Sequence, residues 1–114
     1  MRYLQLDDRE LEQKGGLFTA MEIDGQPALW QKIYAMIRSR REELETFLAP
    51  LLSLPDLRII LTGAGSSAFI GEAAQGIVQE STGKLTHAIA TTDLITHPKL
   101  HFQREIPTLM ISFS

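Results

Sequence analysis

The run Leu57-Arg-Ile-Ile-Leu-Thr62, followed at once by Gly63-Ala-Gly65-Ser-Ser67, constrains this chain more than any other feature. A short leucine and β-branched run bounded by turn residues is the pattern of a strand buried on both faces, the habit of parallel sheets. Two glycines directly behind it permit a tight turn with positive φ and let a ligand approach the backbone. From Ser67 to about Glu80 the pattern turns helical, and small residues at Gly71, Ala73, Ala74 and Gly76 would let that helix lie close on a sheet. Leu85 to Ala90 reads as a second strand, ending in Thr91-Thr92-Asp93. Leu94 to Leu100 begins a helix that Pro98 interrupts, and Gln103 to Pro107 is a loop. Pro107-Thr-Leu-Met-Ile-Ser-Phe-Ser114 then reads as a third buried strand that stops on a serine. The order strand, helix, strand, helix, strand implies right-handed crossovers and an α/β fold with a parallel sheet.

The lead-in to this pattern is helical. Residues 1–26 are polar and punctuated by Gly15, Gly16 and Gly25. Thr19 and Glu22 have the spacing of a capping box, with Thr19 as the cap. Pro27 fits the first position of a long helix, where its missing N–H costs nothing. Trp30, Ile33, Tyr34, Ile37, Leu44, Phe47, Leu48 and Leu51 recur at three- and four-residue steps, a stripe expected to pack as core. Pro50 is expected to kink or end the helix. The sequence thus divides into a helical lead-in over 1–54 and an α/β part over 55–114.

At 114 residues and 44% hydrophobic content there is room for one domain's core. A net charge of −3 argues against a nucleic-acid surface, which needs a basic stripe. Arg38, Arg40 and Arg41 do cluster, but Glu42, Glu43 and Glu45 follow at once, so a solvated helix face is expected. With no cysteine, neither a disulfide framework nor a thiolate metal site can form. No apolar run approaches the roughly 20 residues of a membrane span, and the first residues lack the apolar core of a signal peptide. The expectation is a cytoplasmic protein with neither nucleic-acid nor membrane partners.

The glycine turn carries most of the chemical signal. The following helix would direct its positive dipole end toward the turn, while Ser66 and Ser67 add hydroxyls suited to a sugar or phosphate oxygen. Turns at strand C-terminal ends form the ligand crevice of open α/β sheets. A plain strand-to-helix connection, with one serine as N-cap, is the alternative. Gly63-Ala-Gly65-Ser-Ser-Ala68 also satisfies the loose dinucleotide pattern G-x-G-x-x-A. That pattern wants an acidic residue at the end of the second strand, and Asp93 sits late for it, behind two threonines. Asp93, His97 and His101 would share a helix face like metal ligands, but Pro98 breaks the segment, so no metal is expected. No G-x-S-x-G elbow is present. Glu72, about one turn into the helix, is expected to be solvated rather than an acid or base.

Leu57 to Gly71 resembles the opening of a sugar isomerase (SIS) domain. Thr91-Thr-Asp-Leu94 and Pro107 to Ser114 narrow the resemblance to tagatose-6-phosphate ketose/aldose isomerases, a family whose members also act as galactosamine-6-phosphate deaminase/isomerases. Thr19 to Ile23 and Gln26 to Trp30 resemble that family's helical lead-in, so the match spans about residues 17–114. The resemblance implies a doubly wound, flavodoxin-like parallel sheet, here cut after its third strand. Gly63, Gly65, Ser66 and Ser67 would place a phosphorylated sugar or amino sugar. Ser114 would begin the main phosphate loop, whose other residues are not in this sequence. The implied reaction is enolisation of an open-chain sugar phosphate, with loss of ammonia when C2 carries an amine. It needs a positioned carboxylate or histidine and no cofactor. The family's acid–base glutamate and ring-opening histidine belong to later sequence, often across a subunit interface, so a homo-oligomer is implied and no catalytic residue is assigned here. A non-catalytic sugar-phosphate sensor built on the same domain is the alternative function. A sheet ordered 2-1-3 would leave the third strand as an apolar edge, so the isolated chain is expected to be marginally stable and either to self-associate or to need the rest of the protein.

Overall fold

The computed structural model describes residues 1–114, which divide into two compact units, Met1–Leu44 and Glu45–Ser114. The first opens on a hairpin in which β1 (Arg2–Tyr3) pairs antiparallel with β2 (Leu6–Asp7). Its two turn residues, Leu4 and Gln5, both have positive φ (51° and 69°). Asp7 then caps α1 (Asp8–Gln13), its carboxylate accepting the Arg9 N–H at 3.0 Å. The Met1 ammonium lies 3.0 Å from the Asp8 carboxylate, and this hydrogen bond chiefly holds the Asp8 carboxyl below its usual range.

Helix α2 runs from Leu17 to Ser39, and α3 from Arg41 to Leu52. These spans correct two expectations. Gly16, not Thr19, is the N-cap of α2, and Thr19 lies inside the helix. Pro27 is also interior, so the helix starts ten residues earlier than the proline suggested. Proline's fixed φ is itself helical, so the backbone continues there with one hydrogen bond fewer. Pro50 lies within α3, and the helix ends two residues after it, close to where that proline was expected to end or kink it. The interruption falls at Arg40, whose guanidinium grips the Glu43 carboxylate through Nε (2.9 Å) and Nη2 (2.7 Å). That contact lowers the Glu43 pKa, while Arg38 lies over the Tyr34 ring at 5.8 Å. The expectation that the Trp30 stripe packs as core holds only at its end, where Leu48 is half-buried and Leu51 packs on the core, and fails before it. Only Ala20 is buried in α2, and Trp30, Ile33, Tyr34, Ile37, Leu44 and Phe47 are all exposed.

The second unit takes in the end of α3 because Leu51 and Leu52 pack against the core residues Leu57, Ile59 and Leu61. Then follow β3 (Arg58–Gly63), α4 (Ser66–Thr82), β4 (Thr86–Ala90), α5 (Thr91–Thr96), α6 (Pro98–His101) and β5 (Thr108–Ser112). The strands form a parallel sheet ordered β4-β3-β5. This α/β architecture is the expected one. Strand β3 is central and buried along nearly its whole length, as its unbroken apolar run required. Helix α4 covers the face of Leu61: a side chain at Gly71 would sit only 3.2 Å from the Leu61 Cβ. Gly83, at φ 66°, ends α4 in the left-handed conformation that favours glycine.

The two edges of the sheet differ. On the β4 side, the Thr86 N–H donates to Gln79 Oε1 and the Ala88 N–H to Gln75 Oε1, each at 3.0 Å. Two glutamines of α4 thereby satisfy backbone donors that an edge strand leaves open. Strand β5 has no such cover. Met110 and Ile111 are 51% and 38% exposed, so the third strand is the apolar edge expected of a sheet ordered 2-1-3, although its composition alone read as a buried strand.

Candidate functional site

The C-terminal ends of all three parallel strands meet at one edge of the sheet. Gly63 stands opposite Ala90 in the register of β3 with β4, and Thr62 opposite Ser112 in that of β3 with β5. The Phe113 N–H donates to the Thr62 carbonyl at 2.8 Å, which carries the chain end, Phe113-Ser114, alongside the start of the glycine turn. Gly63, Gly65, Ser66, Ser67 and Ser114 thus all emerge from the same sheet edge.

Both glycines in the turn are dictated by geometry. A Cβ on Gly63 would lie 2.6 Å from the carbonyl carbon and oxygen of Ser67 and 2.9 Å from the Ala68 nitrogen. These are backbone atoms of the first turn of α4, so nothing flexible can yield. Gly65 has free space around it, but its backbone, at φ 57° and ψ −128°, suits glycine alone. The turn closes through hydrogen bonds from the Ser67 N–H to the Ala64 carbonyl and from the Ala68 N–H to the Gly65 carbonyl, each 3.1 Å. Neither serine acts as a side-chain cap. Ser66 is exposed, Ser67 half-buried, and their hydroxyls make no hydrogen bond within the chain. The turn therefore presents two uncommitted hydroxyls at a helix N-terminus, a setting that favours anionic and hydroxylated ligands.

One member of this edge carried no assigned role in the sequence. Thr91 directly follows β4, and its hydroxyl lies 3.2 Å from that of Thr62. The acidic residue of a dinucleotide site would belong here; Asp93 instead lies within α5. The other candidates separate. His97 ends α5 and His101 ends α6, so Pro98 starts a new helix between them, and no group of three or more His, Cys, Asp or Glu side chains gathers in metal-binding reach. Glu72 is exposed on α4. A cavity of about 780 Å³ lies at the opposite, N-terminal edge of the sheet, among Arg58, Lys84, His87, Gln103 and Glu105, and shares nothing with the glycine turn. No helix is long and apolar enough to cross a membrane.

Comparison with known proteins gives the same picture. No protein-family model matches the chain. It is 42% identical to the D-galactosamine-6-phosphate deaminase AgaS of Shewanella sp. (strain ANA-3), over 96% of this chain and 29% of that protein. It is 45% identical to the protein of the same name from Escherichia coli, over 86% of this chain and 26% of that protein. The crystal structure of tagatose-6-phosphate ketose/aldose isomerase from Escherichia coli superposes with a TM-score of 0.83 at 44% identity, over 88% of this chain and 27% of the other. A Clostridium novyi structure assigned to the same isomerase class gives 0.90 at 38% identity, over 98% and 29%. The chain spans less than a third of the length of these relatives. Across nearly its whole length, in sequence and in fold, the chain matches the N-terminal portion of proteins named galactosamine-6-phosphate deaminase and tagatose-6-phosphate ketose/aldose isomerase, consistent with a fragment of an SIS protein.

Proposed function

We propose that this chain is the phosphosugar-binding part of an amino-sugar and ketose phosphate isomerase-deaminase, of the galactosamine-6-phosphate to tagatose-6-phosphate type. One observation carries the reading: the Gly63–Ser67 turn offers two uncommitted serine hydroxyls beside Phe113-Ser114, at the C-terminal edge of a parallel sheet. In this role Gly63 and Gly65 shape the turn so that a ligand can approach its backbone. Ser66 and Ser67 hydrogen-bond sugar or phosphate oxygens, and Ser114 begins the phosphate grip. Isomerisation moves a proton between C1 and C2 of the open-chain sugar; when C2 carries an amine, ammonia leaves. Both steps call for a positioned acid–base group, which this reading places in sequence other than the turn.

The test is the melting temperature of the chain with galactosamine-6-phosphate, beside unphosphorylated galactosamine and NAD. A ligand at 100 times its Kd stabilises the native state by about 2.7 kcal/mol, a readily measured shift. A rise with the sugar phosphate alone is expected. A rise with NAD alone would replace this reading with a dinucleotide site, and no rise with any of the three would overturn it for this chain.

A further inference from the structure

We propose that Thr91 is a further ligand-contacting residue of this edge, its hydroxyl donating a hydrogen bond to a ligand oxygen and held in that orientation by Thr62. The inference rests on the phosphosugar reading above. Thr62 is only 3% exposed, and its hydroxyl has one partner in the chain, the Thr91 hydroxyl at 3.2 Å. Two hydroxyls hold two protons, and one hydrogen bond between them uses one. If Thr91 donated, the Thr62 proton would be buried without an acceptor, which is costly. If Thr62 donates, its proton is satisfied and the spare one belongs to Thr91, which is half-buried and closer to solvent. The second arrangement is favoured, and it makes Thr91 a donor whose oxygen is already accepting.

Its position suits a ligand as well. Thr91 follows Ala90, and Ala90 stands opposite Gly63, the first residue of the glycine turn. The Thr91 hydroxyl is bonded to the side chain of Thr62, the residue just before that turn. The site would thus be walled by all three strand ends: Ser66 and Ser67 after β3, Ser114 after β5 and Thr91 after β4. Thr62 does not meet the ligand; it is a positioning residue, acting through Thr91.

The experiment titrates galactosamine-6-phosphate into the isotope-labelled chain, followed by NMR, for the unaltered protein and for Thr91→Val, Thr91→Ser, Thr62→Val and Thr62→Ser. Thr91→Val should weaken binding about ten-fold, the scale of one lost hydrogen bond to a charged or polar oxygen. Thr91→Ser, which keeps the hydroxyl, should stay within about three-fold of the unaltered chain. Thr62→Val should weaken binding less than Thr91→Val, and Thr62→Ser should restore it. A parallel titration with inorganic phosphate locates the acceptor: an effect of Thr91→Val there places Thr91 on the phosphate, and an effect on the sugar phosphate alone places it on a sugar oxygen. In the free protein the Thr62 hydroxyl proton should exchange slowly and the Thr91 proton rapidly. The reverse exchange order would overturn the inference even if a valine variant failed to fold. So would undiminished binding by a folded Thr91→Val, with the phosphosugar reading left intact. No binding by the unaltered chain would instead overturn that reading, and this inference with it.

Discussion

Gly63→Ala is the sharpest test of the turn. The added methyl carbon would stand 2.6 Å from two backbone atoms of Ser67 and 2.9 Å from the Ala68 nitrogen. Real contacts of this kind require well over 3 Å, so the first turn of α4 must shift by several tenths of an ångström away from β3. Overpacking of this sort costs about 1–3 kcal/mol, and more when the opposing atoms are backbone. The unit Glu45–Ser114 has about 70 residues and hence a total stability of roughly 4–10 kcal/mol. A loss of about 1–3 kcal/mol would lower the melting temperature by roughly 5–20 °C in a domain of this size. Thermal unfolding followed by circular dichroism reads that shift directly. Gly76→Ala is the matched control, since its Cβ would meet nothing within 4 Å on the same helix. It should raise stability by about 0.4–1 kcal/mol through the unfolded chain. Equal melting of Gly63→Ala and the unaltered chain would refute the close approach of turn and helix. Destabilisation by both alanines would refute the distinction between them.

Other outcomes follow from the same structure. Ser66→Ala and Ser67→Ala should each leave denaturant stability within about 0.5 kcal/mol, because neither hydroxyl is bonded within the chain, while weakening sugar-phosphate binding in titration calorimetry. Gln75→Ala and Gln79→Ala should each cost about 1 kcal/mol in urea melts, since each strips an acceptor from a β4 N–H. Met110→Lys, on the exposed edge strand, should reduce concentration-dependent association in sedimentation velocity; unchanged association would place the contact elsewhere. Asp8 and Glu43 have pKa values lowered in the folded state, so their stabilising contribution is fully present above their ordinary values of 3.8 and 4.5. It should fade as pH falls through the lowered values, and Glu43→Gln should flatten that part of an acid titration monitored by helicity.

What could be read from the sequence is what short-range pattern determines. The run at Ile59, Ile60 and Leu61 has no polar interruption, so it had to be a strand covered on both faces, and it is the buried centre of the sheet. Gly63 and Gly65 could be placed because a strand must turn sharply into a helix there, although for different reasons: one lacks space for a side chain and the other needs a positive φ. The hairpin at the N-terminus gave no such signal, because Leu4 and Gln5 occupy positive φ where asparagine or glycine is usual. The helical stripe from Trp30 was legible as amphipathic, but periodicity reports which residues share a face and not whether that face is covered. From Trp30 to Phe47 it is exposed, while Leu51 at its end packs on the core.

Strand β5 reads as buried from its composition alone, and its edge position follows only from the sheet order. Its apolar composition suits a central position, yet burial depends on a neighbour strand, and only β3 lies beside it. The two edges of the sheet make the point together. Strand β4 is sealed by Gln75 and Gln79, residues that a sequence reading would leave on a solvated helix face, because their partners lie 13 and 7 positions away. The hydroxyl pair of Thr62 and Thr91, 29 residues apart, is equally silent in the sequence. It joins the ends of two strands that only the sheet order makes neighbours. The glycine turn is a local device and could be found by pattern; the walls around it are products of topology. Substitutions in the turn should therefore act on folding and binding together, as at Gly63, whereas Ser66→Ala and Ser67→Ala should affect binding with little change in stability; Thr91→Val should also cost about 1–3 kcal/mol, because it strips the acceptor from the buried Thr62 hydroxyl. A folded Thr91→Val whose binding fell no further than that of Thr62→Val would return Thr91 to a purely structural role.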